Sequence, residues 1–243
     1  MQEKKATQVG IIAAMQSEID ALKAQITDAR TVTISGITYL EGELFGSHVV
    51  AAQCGIGKVF AAICAQTMIL TWQPEMVINI GVAGALSPTL RVGDIAVSRD
   101  VVQHDMDASS IGIPVGTLCG IRGQDLTYLP AGASITQGLL DAAVRQGRHA
   151  EAGTIASGDV FVSDSALKQR IVSRFGAIAC DMEGGAIAHV CCVNETPFCV
   201  LRAMSDSGDE NAADSFSMTL DEASDAAMGV MEAFLQTLQP VRA

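Results

Sequence analysis

The feature that most limits how this chain can fold is the alternation of short apolar runs of strand length with segments of helical period. QVGIIAA (8–14), MVINI (76–80), AGTIAS (152–157) and GAIAC (176–180) read as buried strands. Strands of this kind need cover on both faces, which sets helices on either side of a sheet. The intervening segments supply them. Met15, Ile19, Leu22 and Ile26 recur at helical spacing, and Gly57 to Trp72 is an apolar helix stopped near Pro74. Further helices are expected at 134–147, 164–174 and about 216–238, the last with Leu220, Ala223, Ala227, Val230, Phe234 and Leu238 on one face. Residues 31–53 read as three short strands with turns at Ser35-Gly36 and Gly46-Ser47. IAVSRDVVQ (95–103) and PFCVLRAMSD (197–206) are longer strands, the second with its polar residues gathered at its carboxyl end. Residues 105–132, rich in Gly, Ser and Pro, are expected to form a long excursion or lid. No linker, repeat or low-complexity tract divides residues 1–243, so the expectation is a single domain built on one mixed sheet.

Ligands of such folds gather beyond the carboxyl ends of the strands. Those ends carry Met15 to Glu18, Gly81 to Gly84, Asp181 to Glu183 and Arg202 to Asp206. Four polar or glycine-rich clusters at equivalent places point to one shared site.

Composition removes several classes of function. Hydrophobic residues make up 49% of the chain and charged residues 17%, which argues against disorder. A net charge of −12, with Lys and Arg scattered, argues against nucleic acid or an anionic membrane as partner. The seven cysteines form no CxxC pair and sit mostly in apolar runs, as reduced and buried thiols do, which suggests a cytoplasmic setting. Lys4 and Lys5 before the Val9–Met15 run loosely mimic a signal peptide, but the run is short and passes into charged, periodic sequence. No stretch reaches transmembrane length, and a soluble protein is expected.

Taken singly, the motifs are weak. Asp181 and Glu183 serve as well for a helix cap and a first-turn acid, Glu18 reads as another first-turn residue, and Asp206 as a cap for the turn into SGDENAAD. CGIGK has Val59 where a phosphate-binding loop needs Ser or Thr, and GVAGAL lacks a full dinucleotide pattern. His104-Asp105-Met106-Asp107 has no second histidine at metal-ligand spacing, and no GxSxG elbow occurs.

Their combination and order are more specific. GIIAAMQSEID, CGIGKVFAA, NIGVAGAL with LRVGDIAVS, HDMDAS, SGDVFV, DMEGGAIAHVC and LRAMSDSGD resemble the 5′-methylthioadenosine/S-adenosylhomocysteine nucleosidase family of the nucleoside phosphorylase superfamily. The resemblance runs from about Val9 to the final helix. It implies a three-layer α/β/α sandwich around a mixed, partly closed sheet. It also implies a cytoplasmic homodimer of methionine salvage, with no cofactor and no metal. Glu18 matches the general base that activates water, and Asp206 the acid at adenine N7, supported by Ser205. Glu183 matches the carboxylate that grips the ribose hydroxyls, with Met182 on the sugar and Arg202 near Glu183 and the water. Phe161 matches the residue stacked on adenine, with the Val162 backbone on its Watson–Crick edge. Met15, Ile56 and Phe216 match the apolar surroundings of the ribose and 5′-thio group. Ala108 and Ile111 fall where the family lends apolar residues to the neighbouring subunit's pocket.

This chain departs from the family in having Asp181 for a glutamate and Val82 where relatives often carry serine. Residues 112–132 align poorly and receive no role. An aminofutalosine or 5′-deoxyadenosine nucleosidase shares the site plan. A phosphorylase would need a cation beside the nucleophile, and a non-catalytic sensor would not need both base and acid.

Overall fold

A computed structural model describes residues 8–238; Lys4 and Lys5 lie outside them. At the centre is β1 (Gln8–Ala13), parallel to β4 (Ser47–Gln53) on one side and β5 (Met76–Ala85) on the other. Beyond β4 the sheet continues antiparallel through β3 (Ile37–Leu44) and β2 (Thr27–Ile34). Beyond β5 come β12 (Phe198–Asp206), β6 (Ile95–Gln103), β10 (Ala150–Ser157) and β11 (Ala177–Asp181). Of these pairings, only β12 with β6 is antiparallel. β11 then turns back onto β5, pairing Ala179 with Ala85 and Cys180 with Gly84. That contact closes five strands into a barrel at one end of an otherwise open sheet, as the expected partly closed sheet requires.

Helices cover both faces. α2 (Lys58–Trp72) packs with α5 (Gly184–Asn194) on one, and α3 (Ala133–Arg145) with α6 (Ala212–Leu235) on the other. α4 (Ser165–Phe175) lies against β10 and β11. Side chains alternate between the faces with the period of a strand. Ile11, Ile78 and Leu201 join Val230 and Phe234 beneath α6, whereas Ile12, Val77 and Val200 join Met68 and Ile187 beneath α2 and α5. The continuous apolar runs therefore reflect two cores that share the same strands. All seven cysteines are unpaired, and five of them are buried. Among the described residues no helix is long and apolar enough to cross a membrane.

Several local expectations are corrected. The helical period after β1 yields only the single turn α1 (Asp20–Lys23), because residues 14–19 fold back around the Glu18 carboxylate. The second hairpin turn is Phe45-Gly46, one residue early, with both residues in the left-handed region. The segment GVAGA is not a turn: β5 runs straight through it. Residues 105–132 contain a helical turn at 109–111, a hairpin of β7 (Leu118–Ile121) and β8 (Gln124–Leu126), and β9 (Leu129–Pro130), which pairs with β6. The final helix begins at Ala212, ahead of the expected start.

Candidate active site

The carboxyl ends of β1, β5, β11 and β12 surround a cavity of about 320 Å³, within the range of small-molecule sites. It collects Met15, Glu18, Ile56, Phe161, Val162, Met182, Glu183, Ser205, Asp206 and Phe216, ten of the eleven residues expected in this chain's own site. Arg202 is the eleventh; Ile111 is expected in the neighbouring subunit's pocket.

Glu18 sits where the chain leaves β1 and doubles back. The N–H groups of Ala14 and Met15 donate to Oε2 at 2.9 and 2.8 Å, and the Val82 N–H donates to Oε1 at 3.0 Å. Gly81 makes the last contact possible: its φ of 155° is one that side chains rarely adopt, and a Cβ there would collide with the Glu18 carboxylate. Burial pushes the Glu18 pKa above the usual carboxylate range, outweighing these donors and the field of Arg202.

Asp206 ends β12. The register slips between Met204 and Asp206, so the consecutive residues Ser205 and Asp206 both reach the cavity. Ser205 Oγ donates to Oδ2 at 2.9 Å and the Gly208 N–H to Oδ1 at 2.8 Å, so Asp206 does cap the following turn. Its pKa is also raised, chiefly by burial.

Glu183 stands at the start of α5 but makes no side-chain cap; it accepts the Gly57 N–H at 2.8 Å instead. Burial and the neighbouring Asp181 carboxylate push its pKa up to about 7, against the pull of Arg202. At the mouth, Phe161 and Phe216 meet edge to face with centroids 5.7 Å apart. Val162 is buried, and neither its N–H nor its C=O has a protein partner among the described residues. It therefore offers one donor and one acceptor to a ligand.

Arg202 stands within the field of Glu183 and Glu18. It is 1% exposed and lies beneath the cavity rather than in its lining. Nε and Nη2 donate to Asp181 Oδ2 at 3.0 and 2.6 Å, Nη1 donates to the carbonyls of Asn79 and Leu201, and Nη2 also donates to Asn79 Oδ1. A guanidinium has five N–H groups. All are occupied, so Arg202 has none to offer a ligand or a water. Asp181 likewise does more than shape the helix start. It caps Gly184 at 3.1 Å, accepts Ser157 Oγ, and holds Arg202. Ile111, 76% exposed on the 109–111 turn, stays outside the cavity of its own chain.

Sequence reasoning passed over Asn79, Ser157 and Cys180. Asn79 is fully buried and donates to the Ile12 carbonyl while accepting from Arg202. A lone amide within the apolar run MVINI was the available signal, since buried polar groups need partners. Cys180 lines the cavity beside Gly84, and nothing in its local sequence marks it out.

Fold and site together define a member of the phosphorylase superfamily, whose family model matches residues 8–236. The chain is similar to the 5′-methylthioadenosine/S-adenosylhomocysteine nucleosidase of Neisseria meningitidis, solved with methylthio-immucillin-A. Identity is 33%, TM-score 0.90, and coverage 95% of this chain and 99% of that one. It is similar as well to the S-adenosylhomocysteine nucleosidase of Streptococcus pyogenes, solved with 5-methylthiotubericidin (29%, TM-score 0.92, coverage 99% and 100%). Futalosine hydrolase of Helicobacter pylori matches at 30% identity and TM-score 0.89, with coverage of 96% and 98%. The chain belongs to the 5′-methylthioadenosine/S-adenosylhomocysteine nucleosidase family of this superfamily. It is an N-glycosyl hydrolase of adenosine-type nucleosides.

Proposed function

We propose that the chain hydrolyses the N-glycosidic bond of 5′-methylthioadenosine and S-adenosylhomocysteine, releasing adenine and the 5′-thio-ribose, with Glu18 as base and Asp206 as acid. One observation carries this reading. Two buried carboxylates of raised pKa approach the same strand three residues apart, Glu18 over Gly81 and Asp206 over Gly84. At the rise of a strand that is roughly 10 Å, room for a ribosyl–base bond between them.

Breaking that bond builds positive charge on the sugar and negative charge on the base. Glu18 takes a proton from the attacking water, and Asp206 donates to N7, held in place by Ser205. Glu183 grips the ribose hydroxyls with Met182 against the sugar, Phe161 stacks on adenine, and the free Val162 backbone pairs with its Watson–Crick edge. Met15, Ile56 and Phe216 offer the 5′ group an apolar wall suited to a thioether. Water is favoured over phosphate as the nucleophile because the cavity lining presents Glu18 and, among the described residues, no Lys or Arg.

The assembly we propose is a homodimer in which Ile111 completes the partner's 5′-thio pocket. Support comes from exposed apolar side chains, Ile56 in the cavity lining, Val59 and Phe60 just after it in the chain, and Ile111 on the 109–111 turn, each more than half exposed. The unpaired thiols support a cytoplasmic setting, and the proposed thio-nucleoside substrates a place in methionine salvage.

Adenine release in phosphate-free buffer tests the reading, with methylthioadenosine, adenosylhomocysteine, 5′-deoxyadenosine and aminofutalosine in parallel. The two thio-nucleosides should be the best substrates. A sugar-1-phosphate as main product would sink the hydrolase assignment. Preference for aminofutalosine or 5′-deoxyadenosine would move the enzyme to the related nucleosidase, which the similarity to futalosine hydrolase keeps as the second reading.

A further inference from the structure

Three carboxylates, Glu18, Asp181 and Glu183, surround the buried guanidinium of Arg202. Only one of them has it. Arg202 ion-pairs with Asp181 at 2.6 Å and with neither glutamate, and its remaining N–H groups go to Asn79 and Leu201. Asp181 is fixed in turn: Oδ1 accepts Ser157 Oγ, and Oδ2 accepts the Gly184 N–H at 3.1 Å as well as Arg202. Ser157 Oγ is itself anchored by the Gly185 N–H. The unit Asn79–Arg202–Asp181–Ser157 thus ties together β5, β12, β11 and β10 directly beneath the cavity.

We propose that Asp181 is a positioning residue for the hydrolysis: by taking the guanidinium of Arg202 it leaves Glu18 and Glu183 without an ion-pair partner. The physical reason lies in what a base must do. A carboxylate joined to a guanidinium holds its charge too well to draw a proton from water, whereas a buried and unpaired one draws it readily. Arg202 then acts on Glu18 only through space, across Gly81, where a Cβ would lie 3.2 Å from Nη1.

The other titratable neighbours do not alter this balance. Cys54 faces both glutamates and Cys180 faces Asp181, and burial raises both thiols so that they stay neutral at pH 7. His104 faces Asp181 with its pKa lowered by burial, and is neutral there too. Arg202 and the three carboxylates are left to set the local field.

The inference rests on the reading of Glu18 as base, so its test includes a measurement made without turnover. Asp181→Asn keeps the shape and removes the charge. The acid limb of kcat/KM should move down by about one pH unit or more. Ser157→Ala loosens Asp181 but keeps its charge, and should lower activity without moving the limb. Carbon-13 NMR of labelled glutamate carboxyls in the free Asp181→Asn protein should show Glu18 and Glu183 titrating at lower pH than in the native protein. If Asp181→Asn does not fold, Asp181→Ser, which leaves room for water, should give the same shift. Unchanged carboxyl titrations would overturn the proposal, as would an equal limb shift in Ser157→Ala. Carboxyl titrations that move while the limb stays would uphold the role of Asp181 and remove Glu18 as the base.

Discussion

Glu18 accepts the N–H of Val82 at 3.0 Å, which fastens the turn after β1 to a strand 64 residues further along the chain. With the donors from Ala14 and Met15, both carboxylate oxygens are held, so the group is aimed before any substrate arrives. Glu18→Gln should lose the proton transfer, and because an amide has a single acceptor oxygen it also gives up either the Val82 contact or those of Ala14 and Met15. Asp206→Asn should lose the proton on the leaving-group side while keeping its contacts, since the Ser205 hydroxyl can accept as well as donate. Each is expected to cost about 10²–10⁴-fold in kcat, with a folded protein in both cases by circular dichroism. Near-native turnover in either variant would refute the acid–base assignment.

Gly81→Ala probes the same contact from the other side. The added methyl meets the Glu18 carboxylate at a backbone φ that side chains rarely adopt. A displacement of about 1 Å is expected to lower kcat by roughly 10²-fold. Because substrate lies against other residues, KM should change far less. Full activity would show that Glu18 does not need this placement.

Much of the fold was legible because its strands are covered on both faces and read as unbroken apolar runs: MVINI within β5 and FCVLRAM within β12. The helix expected after β1 failed for a tertiary reason. Ile19 and Leu22 are buried at helical spacing, yet the backbone N–H groups of Ala14 and Met15 serve Glu18 rather than a helix. The glycines of GVAGA suggested a turn, but they admit the side chains of Glu18 and Asp206 onto a continuing strand. Sequence alone could not show this, since the crowding residues lie far away along the chain. Ten site residues were found by their resemblance to a family pattern; the occupied donors of Arg202 appear only in three dimensions.

Glu183 carries a cost to stability that pH should expose. Its folded pKa, about 7, stands above the ordinary value of 4.5. The folded state therefore favours the protonated acid, and the stability this contributes is present below pH 4.5 and lost as pH rises through 7. Glu183→Gln removes the ionisation and keeps an acceptor for Gly57. At pH 8 it should stabilise the free protein by on the order of 2 kcal/mol, with no gain at pH 4. Denaturant melts at both pH values measure this, and equal stability at pH 8 would contradict it. Substrate binding should weaken in the same variant.

Ile111→Asp should weaken binding of methylthio substrates, since an unpaired carboxylate would be desolvated beside sulfur and methyl groups. Free adenine, for which we propose contacts with Phe161 and Val162, should bind as before. Sedimentation at assay concentration should give a dimer. A fully active monomer, or an Ile111→Asp enzyme with unchanged KM for methylthioadenosine, would dismiss the shared pocket.

The closure of β11 onto β5 also governs when a nascent chain can bind anything. The floor strand β5 is complete by Ala85, but its neighbours β11 and β12 begin only at Ala177 and Phe198. Asn79 waits for Arg202, and Gly57 for Glu183, 123 and 126 residues later. Pairings this remote slow folding, because long loops close before the contacts reward them. A ribosome-bound chain stopped short of β12 has Glu18, the proposed base, but lacks Asp206, the proposed acid. Ligand can thus stabilise the finished molecule but cannot template its early folding, and chains halted before β12 should show no ligand-dependent protection from proteolysis.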